Sequence, residues 1–528
     1  MGTGKKRKEM TAMKRFTILS VAIVFAMSAM TSAPVSFAVR NNSNINQGGY
    51  RYDNDDSETE FDYITKDTSW FDYEDPKDIY EISNEAQLMG LASLVNENQT
   101  DRWKPTRLEN FEGVTFILTK DIKLTNEWNP IGTGGASYFA GIFDGNGHTI
   151  SNLKIENNSG ASGLFGYLVG EVRNLNVEGD VTSGDESCGA IAGYLTSEAK
   201  IAGCTSDVTV SGKEKTGGIA GYNDGGLIES CINTGTVSGT YKVGGIVGEN
   251  WGGIVDMCGN KGKVKSSKRG VATYGTGGVA GRSVSAEASI SQSYNTGEIV
   301  SDTEATGGVV GYINAGGSSV NECYNTGAIR ILNKDGSKNL SKSYAGGIAG
   351  IVGMNGITIR NCYNTGEIMN ADIAGGIIGR YINDHDDNRT KSISNNYYLN
   401  DIGKSAIGTV DESKDRTAAK AGTGVSRGSL NSLAVSLSSL YKNDTGIYGN
   451  SGYPVLTWQE AVTQEEKSYI EGIPEKIQDM LNDYMMDSSD TSQYGQIIIN
   501  FFTPANYMND AILSYNETVN EEKNGEEE

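Results

Sequence analysis

The sequence predicts an all-β fold: a parallel β-helix, or solenoid, with a helical N-terminal cap and a small α-rich C-terminal region. Three observations carry this. A glycine-hydrophobic-hydrophobic-glycine signature occurs as GLFG at Gly163, GAIAG at Gly189, GGIAG at Gly217 and GGIVG at Gly244. It returns as GGVAG at Gly277, GGVVG at Gly307, GGIAG at Gly346 and GGIIG at Gly375. From Gly189 the steps are 28, 27, 33, 30, 39 and 29 residues. A unit of that length cannot bury its apolar face alone, so successive units must stack. Finally, an Asn-x-Gly turn recurs at one place in the unit, at Asn233, Asn260, Asn295, Asn325 and Asn364. Glycine reaches positive φ without a Cβ penalty and asparagine tolerates left-handed geometry, so a left-handed corner is expected there in every coil.

Composition agrees. Glycine makes up 69 of 528 residues, where ~7% is usual, and proline only 7. A hydrophobic fraction of 37% is low for one thick core but suits a thin column. The formal charge of −22 argues against non-specific nucleic-acid or anionic-membrane binding and suits a soluble exported protein.

From the N-terminus, Lys14 and Arg15 precede the apolar run Phe16 to Met30, and Ser36-Phe37-Ala38 offers a small-residue cleavage site. This reads as a signal peptide over 1–38, cut after Ala38, with Met13 as an alternative start. The run is short for a span of ~20 apolar residues, so no transmembrane segment is expected after cleavage. Residues 39–69 are an acidic leader. In 70–162 an amphipathic helix over 84–98, N-capped by Ser83 or Asn84, puts Leu88, Leu91 and Val95 on one face. Its task is to cover the open end of the solenoid. Strands follow at 114–124 and 141–155, then the repeat units over 163–398. Equivalent strands in neighbouring coils lie about 4.8 Å apart. Residues 399–458 close the solenoid with GYPVLTW, and 459–528 form a helical cap or appended domain with an acidic tail.

Cys204, Cys231, Cys258, Cys323 and Cys362 occupy one column of the repeat, with Ser293 and Asn396 in the same slot. A position shared by Cys, Ser and Asn is a small inward slot, so buried thiols are expected and no disulfides. Ile359 and Cys362 are three apart, and both can point inward only if the strand bends between them.

These residues resemble the GLUG-motif repeat family of bacterial exported and surface proteins. The likeness runs from about Trp70 to Trp458 and includes ISNEAQLMGLASLVNEN, FDGNGHTISNLKI and the closing GYPVLTW. Only Gly163-Leu164-Phe165-Gly166 carries the leucine of the motif; the other units have Ile or Val there. The resemblance implies a right-handed solenoid, in keeping with the general rule for parallel crossovers. Similar repeats occur in adhesins and beside zinc peptidase domains that cleave immunoglobulin A. That peptidase needs His-Glu-x-x-His, and this chain has only His148 and His385.

His148 and Asp144 lie in FDGNGHTI, where Asp144 is expected to bond turn amides. Asp384, Asp386 and Asn388 have the spacing of a calcium loop, but Arg389 replaces the required Gly and Asn395 the bidentate Glu, so a solvated acidic loop is expected. GTGGAS at 132–137 lacks the ending of a phosphate loop. No cofactor is implied. The carboxylates Glu249, Asp256, Glu298, Glu322 and Glu367 hold no common column, so no catalytic residue is assigned. Two tyrosine columns remain: Tyr294, Tyr324, Tyr363 and Tyr397 after the Cys slot, and Tyr167, Tyr194, Tyr222 and Tyr312 after the glycine signature. The first is expected to face outward, and in both the rings either stack on each other to stabilise the rod or bind an extracellular glycan or protein. The expected function is thus a secreted or surface-exposed, non-catalytic adhesive module. A polysaccharide lyase or hydrolase and a passive envelope spacer are the alternatives.

Overall fold

The computed structural model describes residues 64–97 and 110–460, apart from stretches at 73, 135–136, 159, 185–186, 268–273, 333–341, 355, 383–392, 403–404, 411–420 and 447. The expected signal peptide, nearly all of the acidic leader, the chain beyond Glu460, and Asp384, Asp386 and Asn388 lie outside the described residues.

The chain coils into a parallel β-solenoid. One coil shows the path: strand Leu227–Glu229, a bend, Ile232–Asn233 and Val237–Gly239, then Val243–Gly244 and Val247–Trp251, before Ile254–Asp256 begins the next rung. Each segment pairs in parallel with its counterpart one coil away, Ile228 with Val255 and Val237 with Val264 for example. Among the described residues this builds parallel sheets of 11, 9, 16 and 7 strands, which form the walls of the rod. Ile and Val at equivalent positions, such as Ile201, Ile228, Val255 and Ile290, fill a thin core and are fully buried.

The helix α1 (Glu85–Glu97) begins where expected. Asn84 caps it, its Oδ1 accepting from the Gln87 amide at 3.0 Å. Leu88, Leu91 and Val95 are buried in the same core as the first strands. Glu85 is also buried, its carboxylate accepting from the Thr125 and Asn126 amides at 2.8 and 3.0 Å and so tying α1 to the first coil.

The bend before the Cys column is present in every coil. Asn174, Ser230, Met257, Gln292, Glu322, Asn361 and Asn395 all have φ between 45° and 55°, and Gly203 has 61°. Met, Gln and Glu seldom adopt this conformation, so the stack imposes it. It turns the next residue inward. There each thiol donates to the carbonyl two residues back, as Cys231 does to Glu229 at 3.2 Å and Cys362 to Arg360 at 3.1 Å. Ser293 makes the same bond to Ser291 at 2.7 Å, and Asn396 fills its slot by donating to Ile359 and Ala421, both at 2.9 Å. All six cysteines are free and buried, and burial pushes the Cys188 thiol up to about 12. A maleimide should therefore label none of the six in the native protein and all of them after denaturation. Labelling of the native fold, read by mass, would contradict this packing.

The Asn-x-Gly turns require a correction. None of these asparagines or glycines has positive φ. The asparagines point inward and form an amide ladder: Asn233 donates to Asn260 at 2.8 Å, Asn260 to Asn295 and Asn295 to Asn325 at 2.7 Å, and Asn325 to Asn364 at 2.8 Å. The glycines are needed for close approach. A Cβ on Gly262, Gly297, Gly327 or Gly366 would collide with the carbonyl of the equivalent glycine one coil earlier.

The closing segment does more than end the rod. Two short helices, α2 (Arg427–Asn431) and α3 (Ala434–Leu437), and a hairpin of Tyr441–Lys442 with Val455–Leu456 form a second apolar core outside the solenoid. Asp444 shapes the hairpin loop, accepting from the amides of Gly446, Tyr448, Asn450 and Gly452 at 2.8 to 3.2 Å.

Candidate functional site: an aromatic and basic strip

The two tyrosine columns meet different fates. The first does face out of the solenoid, and its rings stack: Tyr294 on Tyr324 at 5.2 Å and Tyr324 on Tyr363 at 5.0 Å, within 7° of parallel. It does not meet solvent. Tyr324 and Tyr363 are fully buried and Tyr294 nearly so, because the closing segment lies over them. Gln459 donates to the Tyr324 hydroxyl at 2.9 Å, Asn450 to that of Tyr363 at 2.8 Å, and Trp458 to the Gln292 carbonyl at 2.9 Å. Tyr397 is half-buried and donates to Asn395 at 2.9 Å. The expected open face is thus filled by the chain itself.

The second column belongs to the 9-stranded sheet. Registered pairing runs from Tyr167 through Tyr194, Tyr222, Glu249, Arg282, Tyr312 and Ile351 to Arg380. Tyr167 and Tyr194 stack at 5.0 Å, and Tyr194 meets Tyr222 edge-on at 5.0 Å. These three rings are half-exposed, whereas Tyr312 is buried and donates to Asn314 at 3.0 Å. The Tyr194 hydroxyl donates to Asp224 at 2.6 Å. Burial, then the charges of Asp224 and Glu249, push the Tyr222 phenol up to about 12, so it stays neutral in physiological conditions. Two positions beyond Glu249, Trp251 is 44% exposed and in register with Asp224.

A parallel column from the 7-stranded sheet lies beside it. Lys215, Lys242, Tyr344 and Ile373 stand seven residues before Tyr222, Glu249, Ile351 and Arg380, so the same corner of the coil sets them side by side in these rungs. The Lys215 ammonium sits 4.3 Å from the Tyr222 ring centre, and the Arg380 guanidinium 4.9 Å from that of Tyr344. Cations held over aromatic faces are stabilised by ~0.5–1 kcal/mol at exposed sites. Between them Glu249 is buried and accepts from Lys242 Nζ at 2.9 Å and from an Arg282 terminal nitrogen at 2.8 Å. The arrangement is a two-column strip of rings and cations along the rod. It has the hydroxyls, ring surface and charge to hold a polymer.

Sequence reading singles out Glu249 only as a scattered carboxylate and passes over Arg282 and Arg380. It missed Lys215, Tyr344 and Trp251. The constant seven-residue offset was the signal that could have found the second column.

The remaining candidates are engaged in structure. Asp144 accepts from the Asn146 amide at 2.9 Å and from Arg173 at 2.8 Å, as a turn-bonding aspartate should. Burial pushes its carboxyl up, but Arg173, the Asn146 amide and Asn174 outweigh this and hold it below the usual range. His148 Nδ1 lies 3.1 Å from Asp121. Glu298 sits between Lys263 at 2.7 Å and Arg330 at 3.3 Å, and Asp256 accepts from Ser291 at 2.7 Å. Among the described residues no group of three or more His, Cys, Asp and Glu is placed to hold a metal, and no helix is long and apolar enough to cross a membrane.

No protein-family model matches the chain. Halomucin of Haloquadratum walsbyi (strain DSM 16790 / HBSQ001) is 34% identical over 116 residues, which is 19% of this chain and 1% of halomucin. The chain therefore spans about a hundredth of that relative's length. Among solved structures, a candidate immunoglobulin A1 protease from Bacteroides ovatus aligns with a TM-score of 0.41 and 20% identity, covering 72% of this chain and 93% of that one. A likeness at that level carries no argument about activity.

Proposed function

We propose that this chain is a secreted or surface-displayed repeat protein that binds an extracellular glycan, without cleaving it, along the strip of the 9- and 7-stranded sheets. The observation that carries the reading is the half-open ladder Tyr167–Tyr194–Tyr222 leading to the exposed Trp251. Its phenols can hydrogen-bond sugar hydroxyls, and the Trp251 ring offers a flat apolar face for a sugar ring. The tyrosines expected in the first column supply none of this, since the closing segment covers them. The signal peptide expected at 1–38 and the resemblance to GLUG-motif surface repeats support export and display.

Incubation with immobilised plant, bacterial and host polysaccharides tests this, scoring retained protein and released oligosaccharide together. Retention without products is expected. Tyr222→Ala combined with Trp251→Ala should abolish retention while leaving the far-UV spectrum unchanged. Undiminished binding by that variant would sink the assignment of the strip, and released products would replace the adhesive reading with an enzymatic one.

A further inference from the structure

We infer that the glycan recognised by this strip is anionic: a chain of sugar rings bearing regularly spaced carboxylate or sulfate groups. The inference rests on the glycan-binding reading and specifies its ligand class. Its basis is charge. The chain carries a formal −22, yet this part of the strip gathers Lys215, Lys242 and Arg282 against Glu249 and Asp224. Glu249 is consumed internally, clamped between Lys242 and Arg282. Asp224 accepts from the Tyr194 hydroxyl.

Lys215 is held differently. It lies over the Tyr222 ring, and no carboxylate is within ion-pair distance of it among the described residues. A ring orients an ammonium without neutralising it, so the charge remains for a ligand. Lys200 and Lys263 on other walls are neutralised directly, by Glu229 at 2.6 Å and Glu298 at 2.7 Å.

Spacing adds to charge. Lys215 and Lys242 stand on successive rungs, because their neighbours Thr216 and Val243 are paired. Rungs repeat at about 4.8 Å, close to the length of one pyranose unit. A polymer lying along the rod therefore offers one sugar per rung, with its acidic group beside the cationic column and its ring beside the tyrosines and Trp251. A neutral glycan would cover the same cations without pairing them, at a desolvation cost. The overall negative charge does not forbid this, since repulsion beyond ~8 Å is screened at physiological ionic strength.

The test measures binding of the purified chain to polygalacturonate, chondroitin sulfate and a neutral galactan, each at low and high sodium chloride. An acidic polymer should bind, the galactan should not, and high salt should weaken binding roughly tenfold. Comparing the two acidic polymers separates carboxylate from sulfate recognition. Lys215→Gln should cost about fivefold or more in affinity. Lys200→Gln, an equal charge change on another wall of the rod, should leave affinity unchanged. Equal loss in the Lys200 variant, or salt-insensitive binding, would overturn the charge argument. Binding to the galactan alone would overturn the anionic class and keep the glycan reading. Binding to none of the three would reject both.

Discussion

Gly221→Val should prevent the chain from accumulating as folded, soluble protein. The signature glycine of this unit carries no side chain because two walls of the rod meet there backbone to backbone. A Cβ on Gly221 would collide with the Cys188 amide, and would stand 2.7 Å from the Ser187 carbonyl carbon and 2.8 Å from the Gly193 carbonyl oxygen. Backbone that is paired in a sheet cannot yield as a side chain can. Gly248, Gly281, Gly311 and Gly350 meet the 7-stranded sheet in the same way, so the contact repeats along the rod. Separating the walls at one rung strains the next, because each rung takes its stability from its neighbours. Overpacking ordinarily costs ~1–3 kcal/mol, and a clash with immovable backbone belongs at or beyond the top of that range. Gly184→Val is the control: a Cβ there meets nothing within 4 Å, and its stability should stay within ~0.5 kcal/mol of wild type. A Gly221→Val protein with the wild-type yield and melting temperature would refute this packing of the two sheets.

Tyr363→Ala should release the closing segment from the rod while most of the solenoid persists. Tyr363 is fully buried, stacked on Tyr324, and packed against Tyr441 at 6.0 Å. Its hydroxyl donates to the Pro454 carbonyl and accepts from Asn450. Truncation removes both the ring and these bonds, a loss of ~3–5 kcal/mol for a buried aromatic residue. Tyr363→Phe keeps the ring and should cost only ~1–2 kcal/mol. Limited proteolysis reads the difference. Cleavage within 441–459 should become rapid in the Ala variant and stay close to wild type in the Phe variant, with the far-UV β signal retained in both. Protection of 441–459 in Tyr363→Ala would show that the segment is held elsewhere. The same geometry changes what a Tyr324→Ala, Tyr363→Ala double variant can report: it perturbs an internal core, so a loss of ligand binding in it would not locate a binding face.

The architecture was legible because it is repetitive. Each coil repeats one local solution, and the period, the small-residue Cys slot and the bend before it can all be read along a single strand. The left-handed residues at Met257, Gln292 and Glu322 were not identifiable by type, since none favours that conformation; only the need to turn Cys inward required a bend there. The Asn-x-Gly turn shows the opposite failure. Local propensity suggested positive φ, whereas stacking supplied a stronger reason for both residues: an amide chain through the core for asparagine, and hard contact with the preceding rung for glycine.

By itself, the sequence determined that this protein is a stacked solenoid, capped by a helix, with thiols turned inward. Only the tertiary structure decided which outward face is open. Tyr324 and Tyr222 occupy comparable outward positions in their strands, yet one is buried beneath Gln459, 135 residues away, and the other borders Lys215 and solvent. Periodicity along a strand tells a side chain which way to point. Whether water or another segment waits there depends on a distant stretch of chain, and no local pattern encodes that contact.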